Sequence, residues 1–354
     1  MEQFDLRLDV TEAVGLGETA EIAVTINLPD AATVHDESVV CFGKPGGGYS
    51  KGYFTADLPG PVSGAQAPWH AARGWVFVSV DHLGVGESTT TLDPTKMDYT
   101  NLAAAAQAAE TQILARLSDG TLRDGFPKVT KPLKLGIGQS LGGCMTIIQQ
   151  GRYHCYDGVG VLGYSAVYTN PPVRPGESPI VGGWLPRDTL LSSIPPVVVN
   201  APQIARAERT TYSEDPEDIQ DQGMNMAWGF HYDDVDLELV KDDLVDFPTR
   251  LGKVPPWGSA TLPLAVATSC LTPGAVAPEA AAILVPVLAA FGERDVSADM
   301  KGEPRAYLSA RSVDLLICPR MGHMHNFAST RELFWQRIDT WADWCRVAKA
   351  SGAL

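Results

Sequence analysis

A serine lies at the centre of the pentapeptide Gly138-Gln139-Ser140-Leu141-Gly142. Apolar runs at 133–137 and 144–148 flank it, and this pattern predicts a strand, a sharp turn and a helix, with the serine at the turn. A hydroxyl on such a strained turn projects away from the sheet, and the flanking glycines let neighbouring backbone approach closely. Ser140 is therefore a candidate nucleophile. Because so short a pattern also arises by chance, the prediction depends on finding the groups that would activate the serine.

An unactivated serine hydroxyl is a weak nucleophile and needs a base within hydrogen-bond reach, and the base in turn needs an orienting acid. His323 directly follows Gly322, in a loop between the predicted strand at 313–318 and a C-terminal helix. Such loops share the carboxyl edge of a parallel sheet with the Ser140 turn. His325, two residues further on, is the alternative base. We favour His323 because it lies nearer the strand exit.

The candidate acid follows another apolar strand, at 287–291, which ends through Gly292. Asp295 would then place its carboxylate at the same sheet edge, with Glu293 as the lesser candidate. An aspartate here can also simply cap the next helix. The order serine, acid, histidine along the chain is the one that a nucleophile elbow predicts, and it favours a catalytic role. The predicted catalytic residues are Ser140, Asp295 and His323.

A glycine run at 46–48 leaves the apolar strand at 39–42 and supplies backbone amides that no side chain blocks. A tetrahedral oxyanion needs two N–H donors, and one usually comes from the residue after the nucleophile, here Leu141. We predict Gly47 as the second donor, with its two glycine neighbours beside it. The alternative is a flexible turn. The run lacks the Lys-Ser/Thr that ends a phosphate-binding loop, which argues against nucleotide binding.

Six short, nearly continuous apolar runs predict strands that are covered on both faces. The runs are 39–42, 75–80, 133–137, 159–162, 285–291 and 313–318. Helical patterns occur at 102–117, 141–150 and 331–348. The alternation of strand and helix predicts an α/β protein with a mostly parallel, doubly wound sheet. Alternating apolar and polar residues at 4–10 and 20–28 predict an antiparallel pair of strands at the sheet edge.

The segment 167–264 breaks this alternation with three Pro-Pro pairs and several acidic clusters. We predict an inserted, mainly helical cap at 167–264, between the two parts of a core at 1–166 and 265–354. The acidic clusters are interpreted as solvated helix faces, because no nearby His or Cys completes a compact set of metal ligands. Aromatic side chains can wall an apolar pocket or pack inside the cap. Those predicted to contact a substrate are Tyr49, Trp184 and Trp228.

Composition narrows the class of protein and its partners. The chain has 354 residues, of which 45% are hydrophobic, but no stretch approaches the roughly 20 unbroken apolar residues of a membrane helix. A formal net charge of -15 argues against a nucleic acid or an anionic membrane as partner. The six cysteines are scattered rather than paired at metal-ligand or redox spacing, which predicts reduced core residues. No secretory signal is evident, so we expect a cytoplasmic protein. Because the sequence offers no compact set of metal ligands, we expect no metal, and we expect no cofactor.

Together these motifs resemble the α/β-hydrolase superfamily over about 4–167 and 264–350. Besides the pentapeptide, the segment 81–88 (Asp-His-Leu-Gly-Val-Gly-Glu-Ser) looks like the Asp-x-x-Gly-x-Gly-x-Ser loop that follows the fourth strand of these proteins. The resemblance implies the α/β-hydrolase fold, with the triad under a cap. In one departure, the usual His-Gly after the third strand is Lys44-Pro45 here. A serine at the elbow argues against the haloalkane dehalogenase and epoxide hydrolase branches, which attack with a carboxylate.

The function that the resemblance implies is that of a serine esterase or lactonase acting on a small hydrophobic substrate. Ser140 would attack the acyl carbonyl with His323 as general base, and water would then hydrolyse the acyl-enzyme. The same triad would also serve a hydrolase of carbon-carbon bonds or an acyltransferase. A non-catalytic ligand-binding protein on this scaffold is a further alternative. We expect neither nucleic acid nor membrane as a partner, and assembly into a homo-oligomer stays open.

Overall fold

The computed structural model of this protein describes residues 1–176, 185–187, 189, 226–250 and 252–352. Within these ranges, eight strands form one sheet in the order β1-β2-β4-β3-β5-β6-β7-β8. The strands are β1 (Glu2–Asp9), β2 (Glu21–Leu28), β3 (Val39–Lys44), β4 (Val76–Val80), β5 (Leu133–Gln139), β6 (Gly158–Leu162), β7 (Val287–Gly292) and β8 (Val313–Cys318). The predicted α/β fold class with a mostly parallel sheet is confirmed.

The directions of the strands decide where functional loops can meet. β1 and β2 pair antiparallel at one edge of the sheet, with Glu2 opposite Leu28 and Asp9 opposite Glu21, and β2 pairs antiparallel with β4. From β4 through β3 to β8, all neighbouring strands are parallel. Because parallel strands end at a common edge, the loops after β3, β5, β7 and β8 lie side by side.

Helices cover both faces of the sheet. They are α1 (Thr11–Val14), α2 (Gly52–Thr55), α3 (Gln66–Ala71), α4 (Tyr99–Asp119), α5 (Leu141–Tyr153), α6 (Met226–Phe230), α7 (Leu237–Leu244), α8 (Leu264–Ser269), α9 (Ala277–Ala282) and α10 (Arg331–Ala350). Helices α1, α4, α5 and α9 pack on one side, and α2, α3 and α10 pack on the other. Among the described residues, no helix is both long and apolar enough to span a bilayer.

The strand β3 shows why its first four residues, 39–42, are all apolar. Val40 and Phe42 pack into the core cluster beneath α4 and α5, whereas Val39 and Cys41 pack into the cluster on the α10 side. Side chains alternate between the two faces of a strand, and here each face lies under a helical layer. Because both faces of the strand are covered here, residues 39–42 are apolar at every position.

The longest excursion from the sheet runs from the end of β6 at Leu162 to the start of β7 at Val287. Its described part contains the four helices α6, α7, α8 and α9 and a segment that contacts the chain just after the glycine run. There, Tyr49 forms an antiparallel bridge with Gly258, and the Ser50 N–H donates to the Trp257 carbonyl at 2.8 Å. The cap bounds of 167–264 stay a prediction, because much of that segment lies outside the described residues.

Candidate active site

Ser140 occupies a strained turn between a strand and a helix. β5 ends at Gln139, α5 begins at Leu141, and Ser140 between them has φ 53° and ψ -119°, a conformation that non-glycine residues rarely adopt. The Ser140 N–H donates to the carbonyl of Leu162 at 2.8 Å, which ties the turn to the end of β6. Ser140 is partly exposed, although Gln139 and Leu141 beside it are buried. Such strain, held by surrounding structure, is typical of functional turns.

The glycines of the pentapeptide are required by close backbone approach. A Cβ on Gly138 would lie 2.1 Å from the Gly142 carbonyl oxygen. A Cβ on Gly142 would lie 2.1 Å from the carbonyl oxygen of Lys44, at the end of β3. Both distances are far shorter than carbon and oxygen tolerate, so only glycine fits these positions. The tight fit brings the loop after β3 against the first turn of α5.

The loops after β7 and β8 bring the candidate acid and the candidate base together. Asp295 Oδ1 lies 2.7 Å from His323 Nδ1, and both side chains are buried. The Gly292 N–H donates to Asp295 Oδ2 at 2.7 Å, and the Val296 N–H donates to Oδ1 at 2.8 Å. Burial raises the pKa of Asp295, but the charge and hydrogen bonds of the neighbouring histidines outweigh it, so this pKa lies well below its usual range. Asp295 is therefore a carboxylate that accepts the His323 Nδ1–H.

His325 lies on the other oxygen of the same carboxylate. Its Nε2 is 2.8 Å from Asp295 Oδ2, and its ring packs against Phe334 with the ring centroids 4.4 Å apart. Of the two histidines considered from the sequence, His323 presents Nδ1 to the acid and leaves Nε2 to face the elbow residue Gln139. This is the orientation that a base serving Ser140 requires.

Gln139 contacts His323 directly, which sequence reasoning missed. Its Nε2 donates to the His323 carbonyl at 3.0 Å and lies 3.2 Å from His323 Nε2. With Nδ1 protonated toward Asp295, His323 Nε2 carries a lone pair, which accepts the Gln139 N–H. The Ser140 hydroxyl makes no hydrogen bond to a described residue in this arrangement. The only sequence signal for Gln139 was its place beside the serine.

The glycine run lies over the elbow. A Cβ on Gly46 would be 3.1 Å from Ser140 Cβ, and one on Gly47 would be 3.9 Å from Leu141 Cβ. Gly47 is partly exposed, while its neighbours Gly46 and Gly48 are buried. Leu141 is the first residue of α5, so the helix provides no acceptor for its N–H. The predicted oxyanion donors Gly47 and Leu141 are thus adjacent, and their role stays a prediction.

Lys44, which replaces the histidine usual in the resembled family, lies in a buried polar cluster beneath the glycine run. Its ammonium donates to Glu110 Oε1 at 2.7 Å and to the Tyr156 hydroxyl at 2.7 Å, and the side chains of both ions are at most 3% exposed. Two further contacts hold the run. His82 Nε2 donates to the Pro45 carbonyl at 2.9 Å. The buried guanidinium of Arg250 donates to the Gly48 carbonyl at 2.9 Å.

The predicted substrate-contacting aromatics have different surroundings. Tyr49 is buried, and its hydroxyl donates to Asp243 at 2.8 Å, so it packs between the cap segment and the core. Trp228 is partly exposed, with the Arg294 guanidinium 4.7 Å above its ring. Trp184 lies outside the described residues. Phe230 instead contacts the base, since its ring centroid is 4.9 Å from that of His323.

Other reactive groups near the elbow are inert. The Cys144 thiol is fully buried, and burial raises its pKa to about 12, so it stays protonated at neutral pH. All six cysteines are free thiols. Within the described ranges, no group of three or more His, Cys, Asp or Glu side chains could hold a metal ion.

Comparison with known proteins finds likeness in structure alone. No protein-family model and no curated protein sequence matches the chain. An esterase from Thermogutta terrifontis, with malate bound, is 14% identical with a TM-score of 0.58, covering 96% of this chain and 99% of that one. Proline iminopeptidase from Mycobacterium smegmatis is 12% identical with a TM-score of 0.56, covering 97% and 100%. The enol-lactonase from Burkholderia xenovorans is 14% identical with a TM-score of 0.52, covering 92% and 94%.

These likenesses extend over nearly the whole chain, and together with the sheet order they define its fold. The chain has the α/β-hydrolase fold, as its motifs implied. The solved structures of this fold named above include an esterase, a peptidase and a lactonase. One fold thus supports several reactions, so the reaction has to be argued from the site itself.

Proposed function

We propose that this protein is a serine hydrolase that cleaves a carboxylic ester or lactone of a small hydrophobic molecule through an acyl-enzyme on Ser140. One observation carries the proposal. The base His323, oriented by the buried carboxylate of Asp295, presents Nε2 toward the residues of the elbow that holds Ser140. A serine, a base and an orienting acid at one sheet edge form the constellation used for acyl transfer.

The reaction would proceed in two halves. Ser140 Oγ attacks the acyl carbonyl carbon while its proton passes to His323 Nε2, and the carbonyl electron pair moves onto the oxygen. When the tetrahedral intermediate collapses, the C–O bond to the leaving alkoxide breaks, and the alkoxide takes the proton from Nε2. Water then attacks the acyl-enzyme with the same nitrogen as base, which releases the acid and restores the serine hydroxyl. Gln139 has to release Nε2 for the first step, while its bond to the His323 carbonyl can persist.

The surroundings of the elbow favour an apolar substrate. Phe230 contacts the His323 ring, and Leu262 lies 3.5 Å from the position of a Cβ on Gly47. Leu141 packs beside the same glycine. These groups offer dispersion contacts and few hydrogen bonds, which suits an apolar acyl or alcohol group beside the reacting carbonyl. The esterase and the enol-lactonase among the similar structures act within the same fold, which supports this substrate class.

The test begins with covalent labelling, which does not require the substrate to be known. Wild-type protein should react stoichiometrically with a fluorophosphonate probe, and peptide mapping should place the label on Ser140. Ser140→Ala should not be labelled, while Ser118→Ala, at an exposed serine near the end of α4, should behave as wild type. Absence of labelling in folded wild-type protein would favour a non-catalytic ligand-binding protein instead.

A substrate panel then separates the reactions that share this triad. The panel contains p-nitrophenyl esters of increasing acyl length, aliphatic lactones and β-diketones, each assayed with and without a competing alcohol. We expect turnover of esters or lactones and free acid as the product. Cleavage of diketones alone would assign a carbon-carbon hydrolase, and ester products in the presence of alcohol would assign an acyltransferase. Wild-type turnover by Ser140→Ala on an aryl ester would disprove the mechanism.

A further inference from the structure

The carboxylate of Asp295 is bound by two histidines rather than one. His323 Nδ1 lies on Oδ1 and His325 Nε2 lies on Oδ2, at 2.7 and 2.8 Å. With the two backbone N–H groups described above, each carboxylate oxygen accepts one imidazole and one amide. The side chain of Asp295 is 0% exposed, so bulk water does not reach it. His325 therefore fills a place on the acid that the proposed chemistry does not itself use.

The surroundings of His325 fix both its position and its protonation. Its side chain is 2% exposed, its ring packs on Phe334, and its Nδ1 is buried without a hydrogen-bond partner among the described residues. Burial lowers the pKa of His325 more than the carboxylate of Asp295 raises it, so the ring stays neutral at physiological pH. The proton of this neutral ring therefore resides on Nε2, from which it is donated to Asp295.

The short turn that carries His325 is itself anchored. Asn326 donates from Nδ2 to the Tyr53 carbonyl at 3.0 Å, and its N–H donates to the Tyr53 hydroxyl at 3.2 Å. The Trp335 indole N–H donates to Asn326 Oδ1 at 2.8 Å. These contacts join the turn to α2 and α10, so the imidazole of His325 is presented from a rigid support. A hydrogen bond donated from this side restricts rotation of the Asp295 carboxylate.

We propose that His325 is a positioning residue that acts through Asp295, holding the carboxylate in the orientation that serves His323. The inference rests on the proposed function, because it assigns a part to His325 within the same site. A carboxylate that must reorient loses its alignment with the imidazolium that forms as the serine is deprotonated. The hydrogen bond that His325 donates also stabilises the negative charge of Asp295, which weakens the attraction of that carboxylate for the protonated base. The titratable groups that face Asp295 are His323 and His325 from the loop after β8, and Tyr53 from α2.

The central experiment compares His325→Gln with His325→Met. Gln places an amide N–H close to where the imidazole Nε2–H lies, whereas Met fills a similar volume and donates no hydrogen bond. We expect Met to lower kcat for an aryl ester by about 10- to 100-fold with little change in KM, because a hydrogen bond to a charged group is lost. Gln should restore most of this loss. The acid limb of the pH profile of kcat/KM should move to higher pH in the Met variant.

A double-variant cycle separates this role from a structural one. Once Asp295→Asn has removed the carboxylate, His325→Met should cause no further loss of kcat, because His325 acts only through that group. Equal losses in both backgrounds would show a structural role and overturn the inference, as would wild-type kcat in the Met variant. If His325→Met does not fold, His325→Asn replaces it, because its shorter amide does not reach Oδ2. In that case the inference requires Gln to be clearly more active than Asn.

A spectroscopic readout makes failure of the inference distinguishable from failure of the proposed function. The low-field proton resonance of the hydrogen bond from His323 Nδ1 to Asp295 should shift in His325→Met and return toward its wild-type position in His325→Gln. This measurement needs no substrate. An unchanged resonance overturns the inference, whereas absence of fluorophosphonate labelling of wild-type Ser140 overturns the proposed function. Full activity in His323→Gln, with complete loss in His325→Gln, would make His325 the base and also overturn the inference.

Discussion

We predict that His82, which supports the loop of the candidate oxyanion site, makes the stability of the protein depend on pH. It is buried, and its Nε2–H donates to the Pro45 carbonyl. Burial lowers the pKa of His82 to about 4, although the bond to Pro45 opposes this effect. In the unfolded chain a histidine has a pKa of about 6.5. The folded state therefore holds a neutral imidazole over a pH range in which the unfolded state takes up a proton.

The sign and size of the effect follow from this difference. Above pH 6.5 the ring is neutral in both states, so its full contribution to stability is present. As the pH falls from 6.5 toward 4, only the unfolded state is protonated, and the free energy of unfolding decreases. For pKa values of about 4 and about 6.5, the loss is about 2 kcal/mol at pH 5 and about 3 kcal/mol at pH 4.

The variant that tests this linkage is His82→Gln, whose amide can donate to the Pro45 carbonyl but does not titrate. Urea unfolding of wild type and variant at a series of pH values from 8 to 4 gives the difference in unfolding free energy at each pH. The difference at pH 8 reports the change in packing and hydrogen bonding, and its change with pH reports the titration of His82. We expect the variant to gain about 2 kcal/mol relative to wild type between pH 8 and pH 5. Parallel stability curves over this range would refute the reasoning.

Three further predictions concern the core and the supports of the glycine run. Gly142→Ala places a Cβ 2.1 Å from the Lys44 carbonyl oxygen and should destabilise the fold by about 3 kcal/mol or more in urea unfolding. The matched control is Gly47→Ala, whose Cβ has only contacts of 3.5 Å or longer, so its stability should stay within about 1 kcal/mol of wild type. Arg250→Met removes a fully buried cation from a buried carboxylate and should cost about 3 to 5 kcal/mol in the same assay; an unchanged unfolding midpoint would contradict this. His70→Phe replaces a buried imidazole, whose pKa burial lowers to about 3, with a ring that does not titrate. The variant should therefore lose less stability than wild type as the pH falls below 6.5, and thermal unfolding at a series of pH values would detect this.

The amino-acid sequence alone determined the fold and the identity of the elbow. Six nearly continuous apolar runs correspond to β3 through β8. The predicted burial on both faces is confirmed for β3 through β7, but it is wrong for β8, which forms an edge of the sheet and has only its last residue, Cys318, buried. The antiparallel pair at the edge was also predicted, because exposed edge strands keep an alternating pattern. The serine between two glycines marked the turn, since backbone strain and close approach impose residue types locally. These features are legible because each depends on residues that are near one another in the chain.

Only the tertiary structure decided which side chains meet around the elbow. His323 and His325 each bind one oxygen of the Asp295 carboxylate. This arrangement depends on the packing of the loops after β7 and β8, and the two-residue spacing of the histidines does not predict it. The contact of Gln139 with His323 joins residues 184 positions apart. The buried charge of Lys44 is balanced by Glu110, which lies 66 positions away on α4. The sequence therefore shows no sign of how a lysine could replace the histidine that is usual in the resembled family. Hydrogen bonds between distant elements depend on distances of a few tenths of an ångström, and only the packed chain sets those distances.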